Sequence, residues 1–200
     1  MPTVDKEKII GVRTPVLRKY AKELFKSGEY QEFLSDLPHK YYEEDNLHGF
    51  LLEQISDADE CIFRLDEFLP FVDNWATCDG IKPKCFKKNP DKALMAAYRW
   101  IDGKETYVVR FGIGVLMNNF LDGNFDERFC ERVASVHSDE YYINMMCGWY
   151  FATALAKQYD TAIVYLRDRR LDEAVHKNTV RKAIESFRIS EEKKKYIRSL

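Results

Sequence analysis

SDEYYINMMCGWYFATALAKQY, residues 138–159, decides the fold. Ser138 can cap a helix, and from Tyr141 to Leu155 nearly every position is apolar, with no stripe kept for water. A helix apolar almost all round has to be covered by neighbours on both sides. It is not a membrane span, because no run of about 18 apolar residues occurs in the chain. Its cover must therefore come from the rest of the chain, which supplies helices in both directions.

Toward the N-terminus, Lys104–Phe120 is a second apolar segment, with Val108, Val109, Phe111, Ile113, Val115, Leu116 and Met117. Gly112 and Gly114 weaken a helix and mark close packing there. Tyr107–Val115 is the best strand candidate, but its helical neighbours and its length favour helix. Asn89-Pro90 and Thr14-Pro15 each place a capping side chain before a first-turn proline. The first opens a helix to Ile101; the second opens one with Val16, Leu17, Tyr20, Ala21, Leu24 and Phe25 at three- and four-residue spacing. Between them lie Glu29–Leu37, stopped near Pro38, then Tyr41–Ile55 and Ala58–Phe71, which Asp57 can cap. Asp73 or Asn74 can cap a short helix ended by Gly80, and Lys82–Asn89 has short helical potential. Toward the C-terminus, Asn124–Val136 precedes the opening stretch. Thr161–Asp168, Leu171–His176, Asn178–Phe187 and Ser190–Leu200 follow it. The expectation is an all-α protein: a curved superhelical stack of antiparallel HEAT-like helical pairs, since the connections are short and no heptad runs through. No Gly/Ser/Pro linker divides residues 1–200, which read as a single domain.

Charge is unevenly spread. The net charge is -2, yet residues 29–67 hold twelve acids against two bases. Residues 81–110 hold eight bases against three acids, and residues 167–200 eleven against six, so two basic blocks stand apart from an acidic one. MPTVDKEKII carries charges where a signal peptide needs an apolar core, so a soluble cytoplasmic protein is expected. Five cysteines without a CxxC, and four histidines without HExxH, argue for reduced thiols and against a metal site. Walker loop, GxGxxG and nucleophile elbow are all missing from the sequence.

Four residues stand out. Trp75 and Asp79 sit one helical turn apart; Arg110 follows Trp75 by 35 residues, and Trp149 follows Arg110 by 39. A step of roughly 35–45 residues is one unit of a stacked helical-pair repeat, so successive units could aim these side chains into one groove. Two indoles, a carboxylate and a guanidinium together can hold a sugar-phosphate backbone. The bland alternatives are core tryptophans, a capping aspartate and an Asp79–Arg110 ion pair. An arginine inside an apolar helix needs a carboxylate, a phosphate or a wet groove. Trp100, at the end of an ordinary amphipathic helix, fits core packing. Residue reading alone stops at an all-helical repeat protein with a basic, aromatic groove.

Five segments, GVRTPVLRKYAK, WATCDGI, YVVRFGIGVLM, YYINMMCGWYFATALAK and HKNTVRKAIESF, together resemble the bacterial DNA alkylation repair glycosylases of the AlkD-like family. GVRTPVLRKYAK is similar to that family's G-x-x-T/S-P-x-x-R segment, WATCDGI to its W-x-x-x-D motif and YVVRFGIGVLM to its arginine-bearing helix. YYINMMCGWYFATALAK resembles the helix with a G-W signature, and HKNTVRKAIESF the C-terminal repeat that grips phosphate. The resemblance implies hydrolysis of the N-glycosidic bond of cationic N3- or N7-alkylated purines. Asp79 would be the catalytic carboxylate, with Trp75 and Trp149 flanking the deoxyribose. Arg110, Lys82, Lys84, Lys177, Arg181 and Lys182 would bind DNA. The expected partner is double-stranded DNA with alkylated bases, met by a monomer without metal, cofactor or membrane. The chain departs from the family at Ala76, where an acid is common, and at Met145, where a lysine can occur. A non-catalytic binder of damaged or branched DNA, or a protein-binding helical array, would use the same scaffold.

Overall fold

The computed structural model describes residues 4–200. Among them there are twelve α-helices and no strand: α1 Thr14–Ser27, α2 Gln31–Ser35, α3 Tyr42–Leu52, α4 Ala58–Phe68, α5 Trp75–Gly80, α6 Pro90–Ile101, α7 Thr106–Asn119, α8 Glu127–Ala134, α9 Tyr141–Lys157, α10 Tyr159–Arg167, α11 Glu173–Glu185 and α12 Glu191–Arg198. The protein is all-α and built of packed helix pairs, as the sequence leads one to expect. The chain divides into two compact units, with the division inside α6, one ending at Ala96 and the other beginning at Ala97. No helix among the described residues is long and apolar enough to cross a membrane.

In the first unit α3 is the centre: α1, α4 and α5 pack against it. Leu47, Phe50, Leu51 and Leu52 fill the interior. Buried Glu43 accepts hydrogen bonds from the backbone N–H groups of Ile10 (2.9 Å) and Gly11 (2.7 Å), tying the segment before α1 to α3. Asp57 caps α4 by accepting from Glu60 N–H at 2.8 Å. The α1 cap position belongs to Arg13 rather than Thr14, so that helix starts without a side-chain cap. Behind α3, His48 stacks on Phe68 with ring centres 4.0 Å apart, and His39 stacks on Phe33 at 4.5 Å. The two histidines share a 2.8 Å hydrogen bond between His39 Nε2 and His48 Nδ1. Burial drives His48 down to about 3, with the neighbouring His39 and Arg64 adding to the shift.

In the second unit α9 is the hub, with α7, α8, α10 and α11 packed on it. That covering is what its all-round apolar sequence demands. The closest approach is at Gly148, where an added Cβ would lie 2.5 Å from Asn178 Cβ and 3.1 Å from Thr179 N. Gly112 plays the same part on α7: a Cβ there would meet the Ala97 carbonyl at 2.8 Å and Ile101 N at 3.0 Å. α11 is one continuous helix where the sequence suggests two segments, Leu171–His176 and Asn178–Phe187. Its polar break is only apparent. Lys177 is solvent-exposed, while Thr179 and Ala183 carry the buried face onward.

Candidate nucleic-acid interface

The short helix α5 carries Trp75 and Asp79. Six residues do not hold a helix by themselves, so both ends are pinned. At the start, Asn74 Oδ1 accepts from Thr77 N–H at 2.9 Å. Asn74 Nδ2 donates to Thr77 Oγ1 (3.0 Å), which donates to Asn46 Oδ1 of α3 (3.2 Å). At the end, Arg18 reaches across from α1. Its Nη1 donates to Glu53 Oε2 at 2.7 Å and its Nη2 to the Gly80 carbonyl at 2.9 Å, while the guanidinium lies 3.9 Å above the Phe50 ring centre. Glu53 is buried and also accepts from Lys82 N–H at 2.9 Å. Beneath the same turn, Gly49 leaves room for Ile81, whose Cγ1 lies 2.5 Å from where a Cβ would stand.

On this frame Trp75 keeps 37% of its surface exposed, and Asp79 is half-buried one turn later. Lys82 and Lys84 follow as exposed cations, and Lys84 Nζ donates to Gln54 Oε1 at 2.8 Å. Asp45, near Asp73, is raised to about 7, first by burial and then by the Asp73 charge.

The second unit holds the other expected residues. Arg110 is 5% exposed, and its Nη1 donates to the Tyr142 carbonyl at 2.7 Å, joining α7 to the first turn of α9. Trp149 is 38% exposed and stands next to the Gly148 contact. The indole lines a notch of about 190 Å³ between α9 and α11, with Ala152, Thr153, Lys182, Glu185, Ser186 and Arg188. Thr153 Oγ1 donates back to the Trp149 carbonyl at 2.9 Å. Lys177 and Arg181 line a separate hollow of about 570 Å³ that also includes Arg169 and His176. Arg181 Nη2 leans on Met145 Sδ at 3.1 Å, so the arginine of α11 rests over the position where the resembling family can carry a lysine. Within this unit the structure thus joins Trp149 to Lys182 in one notch and Lys177 to Arg181 in another. Arg110 lines neither.

Comparison with known sequences bears on what these features serve. The family described as DNA alkylation repair enzyme matches residues 3–187. The chain belongs to the DNA alkylation repair enzyme family. No curated protein and no solved structure matches it. Membership makes this a DNA-repair enzyme with DNA as its partner. Among the described residues, no group of three or more His, Cys, Asp or Glu side chains could hold a metal ion.

Other residues that shape this repair enzyme escape a sequence reading. Arg18 closes the GVRTPVLR segment, but its partners Glu53 and Gly80 lie 35 and 62 residues away. Asn46 and Thr77 are ordinary polar residues until α3 and α5 meet. Arg188 and Ser186 lie past the end of α11, where helical spacing no longer reports on direction. The signals for them are the basic surplus of residues 167–200 and, for Ser186, its place in the segment HKNTVRKAIESF.

Proposed function

We propose that the chain is a DNA glycosylase that excises alkylated purines by hydrolysing the N-glycosidic bond. The observation that carries the reading is α5. In a member of an alkylation-repair family, a six-residue helix pinned at both ends presents an indole and a carboxylate one turn apart. Such rigidity suits a site that must hold a charge in place during reaction.

A purine alkylated at N3 or N7 is cationic and leaves readily. As the C1′–N bond breaks, its electron pair neutralises the departing base and positive charge moves to the sugar. In this proposal Asp79 stabilises that oxocarbenium-like state and accepts a proton from the water that attacks C1′. The products are a free alkylated base and an abasic sugar. Trp75 and Trp149 offer indole faces to electron-poor sugar C–H groups. Arg110, Lys82, Lys84, Lys177, Arg181 and Lys182 supply the charge that phosphate binding requires.

The test is base release from methylated duplex DNA at low salt, read by chromatography of free 3-methyladenine and 7-methylguanine. The reading expects both to be freed. Salt-sensitive binding with no released base would instead mark a non-catalytic DNA binder on the same scaffold.

A further inference from the structure

We propose that the notch beside Trp149 is a phosphodiester-binding site in which Lys182, Ser186 and Arg188 receive the phosphate and Glu185 competes with it for Lys182. This rests on the DNA-repair reading above and extends it to Glu185, Ser186 and Arg188, none of which is among the DNA-binding residues expected from the sequence. Arg188 lies one residue beyond the matched region.

The chemistry of the lining points to phosphate. Two cations face one carboxylate, so the notch retains a positive balance for an anion. Ser186 Oγ accepts from Arg188 N–H at 3.2 Å, which fixes the hydroxyl and leaves its hydrogen to donate to an acceptor. Arg188 is exposed and brings a planar fork suited to phosphate oxygens. The exposed Trp149 face forms the apolar wall against which a sugar can rest. Thr153 is a wall rather than a ligand, because its hydroxyl already donates to the Trp149 carbonyl. The walls are also fixed: α9 and α11 meet at Gly148 and Asn178 with no room for a methyl group.

Glu185 supplies the counterweight. Lys182 Nζ lies 3.7 Å from Glu185 Oε2 in a solvent-exposed pair. Such a pair is weak, so a phosphate can take over Lys182 readily. The carboxylate nevertheless repels every anion that enters. It sets the affinity of the notch below what two cations would give, which favours release of the abasic product.

Binding of a fluorescent duplex is measured by anisotropy between 50 and 200 mM salt for wild type, Arg188→Ala, Lys182→Ala and Glu185→Gln, with circular dichroism confirming the fold. Arg188→Ala and Lys182→Ala should each bind several-fold more weakly. The slope of log K against log salt should become shallower by about 0.9 per cation lost. Glu185→Gln should bind several-fold more tightly. A duplex with one neutral methylphosphonate at the contacted linkage should weaken wild type and add no further loss in Arg188→Ala. Wild-type affinity and slope in Arg188→Ala would overturn the site; if wild type still releases methylated bases, only the notch falls. A wild type that binds no DNA would overturn both readings.

Discussion

Replacing Gly148 with alanine sets two physical effects against each other, and the structure decides which wins. Gly148 lies inside α9, where alanine is favoured over glycine by about 1 kcal/mol from helix propensity alone. Propensity therefore expects a more stable protein. The new Cβ, however, would stand 2.5 Å from Asn178 Cβ and 3.1 Å from both Asn178 C and Thr179 N. Two of those three atoms are backbone, so no rotamer change relieves the clash and α11 itself must move. Overpacking of this kind costs about 1–3 kcal/mol, and more when backbone is displaced. The net expectation is a loss of roughly 1–2 kcal/mol, a fall in melting temperature of about 2–8 °C for a chain of this size. The contrast is Gly114→Ala in α7. There the nearest atom is Met146 Cε at 3.0 Å, the far end of a flexible side chain. Propensity should prevail, leaving that variant neutral or stabilised. Thermal denaturation of the two variants beside wild type checks the pair. A Gly148→Ala protein more stable than wild type would refute the close-packing account of the G-W signature.

Arg18→Ala should cost roughly 2–3 kcal/mol in urea denaturation, because buried Glu53 loses its charged partner and the Gly80 carbonyl its donor. The figure lies below that of a fully buried pair because Arg18 is partly exposed. Arg18→Lys should recover only part, since one ammonium cannot span both acceptors in the same fork; full recovery would contradict the two-armed clamp. The His39–His48 pair sets a pH dependence. His48 is held near 3 when folded and is near 6.5 when unfolded, so its stability contribution is intact above about pH 6.5 and lost as pH falls toward 3. Asp45, raised to about 7, acts in the opposite sense by favouring the folded state as pH falls from 7 toward 3.8. The wild-type curve therefore mixes the two, and the comparison with His48→Phe isolates one of them. Between pH 7.5 and 5.5 the variant should lose about 1.4 kcal/mol less than wild type; parallel stability curves would contradict the neutral-histidine account.

How much the sequence discloses depends on how local the physics is. The unbroken apolar surface of Tyr141–Leu155 demanded helices on several sides, and α7, α8, α10 and α11 provide them. The α5 cap was legible as Asp73 or Asn74, and geometry selects Asn74 because its amide also reaches Thr77. The polar run His176, Lys177, Asn178 looked like a break, yet two of these residues face the packed side of one continuous helix. The division into two compact units leaves no mark in composition, because it falls inside α6 rather than at a flexible linker. For the candidate site, Trp75, Asp79 and Trp149 were readable as motif residues. The residues that hold them were not. Arg18, Asn46 and Gly49 act through partners distant in sequence, and Arg188 lies where helical periodicity has ended.

The most direct measurement of the central claim is the single-turnover rate of base release from methylated duplex DNA, with enzyme in excess, for wild type and Asp79→Asn. Asparagine keeps the size of the side chain and removes only its charge. If Asp79 stabilises charge on the sugar, the variant should bind the duplex at least as tightly while its rate falls by about 100-fold or more. Equal rates at saturating enzyme would contradict it.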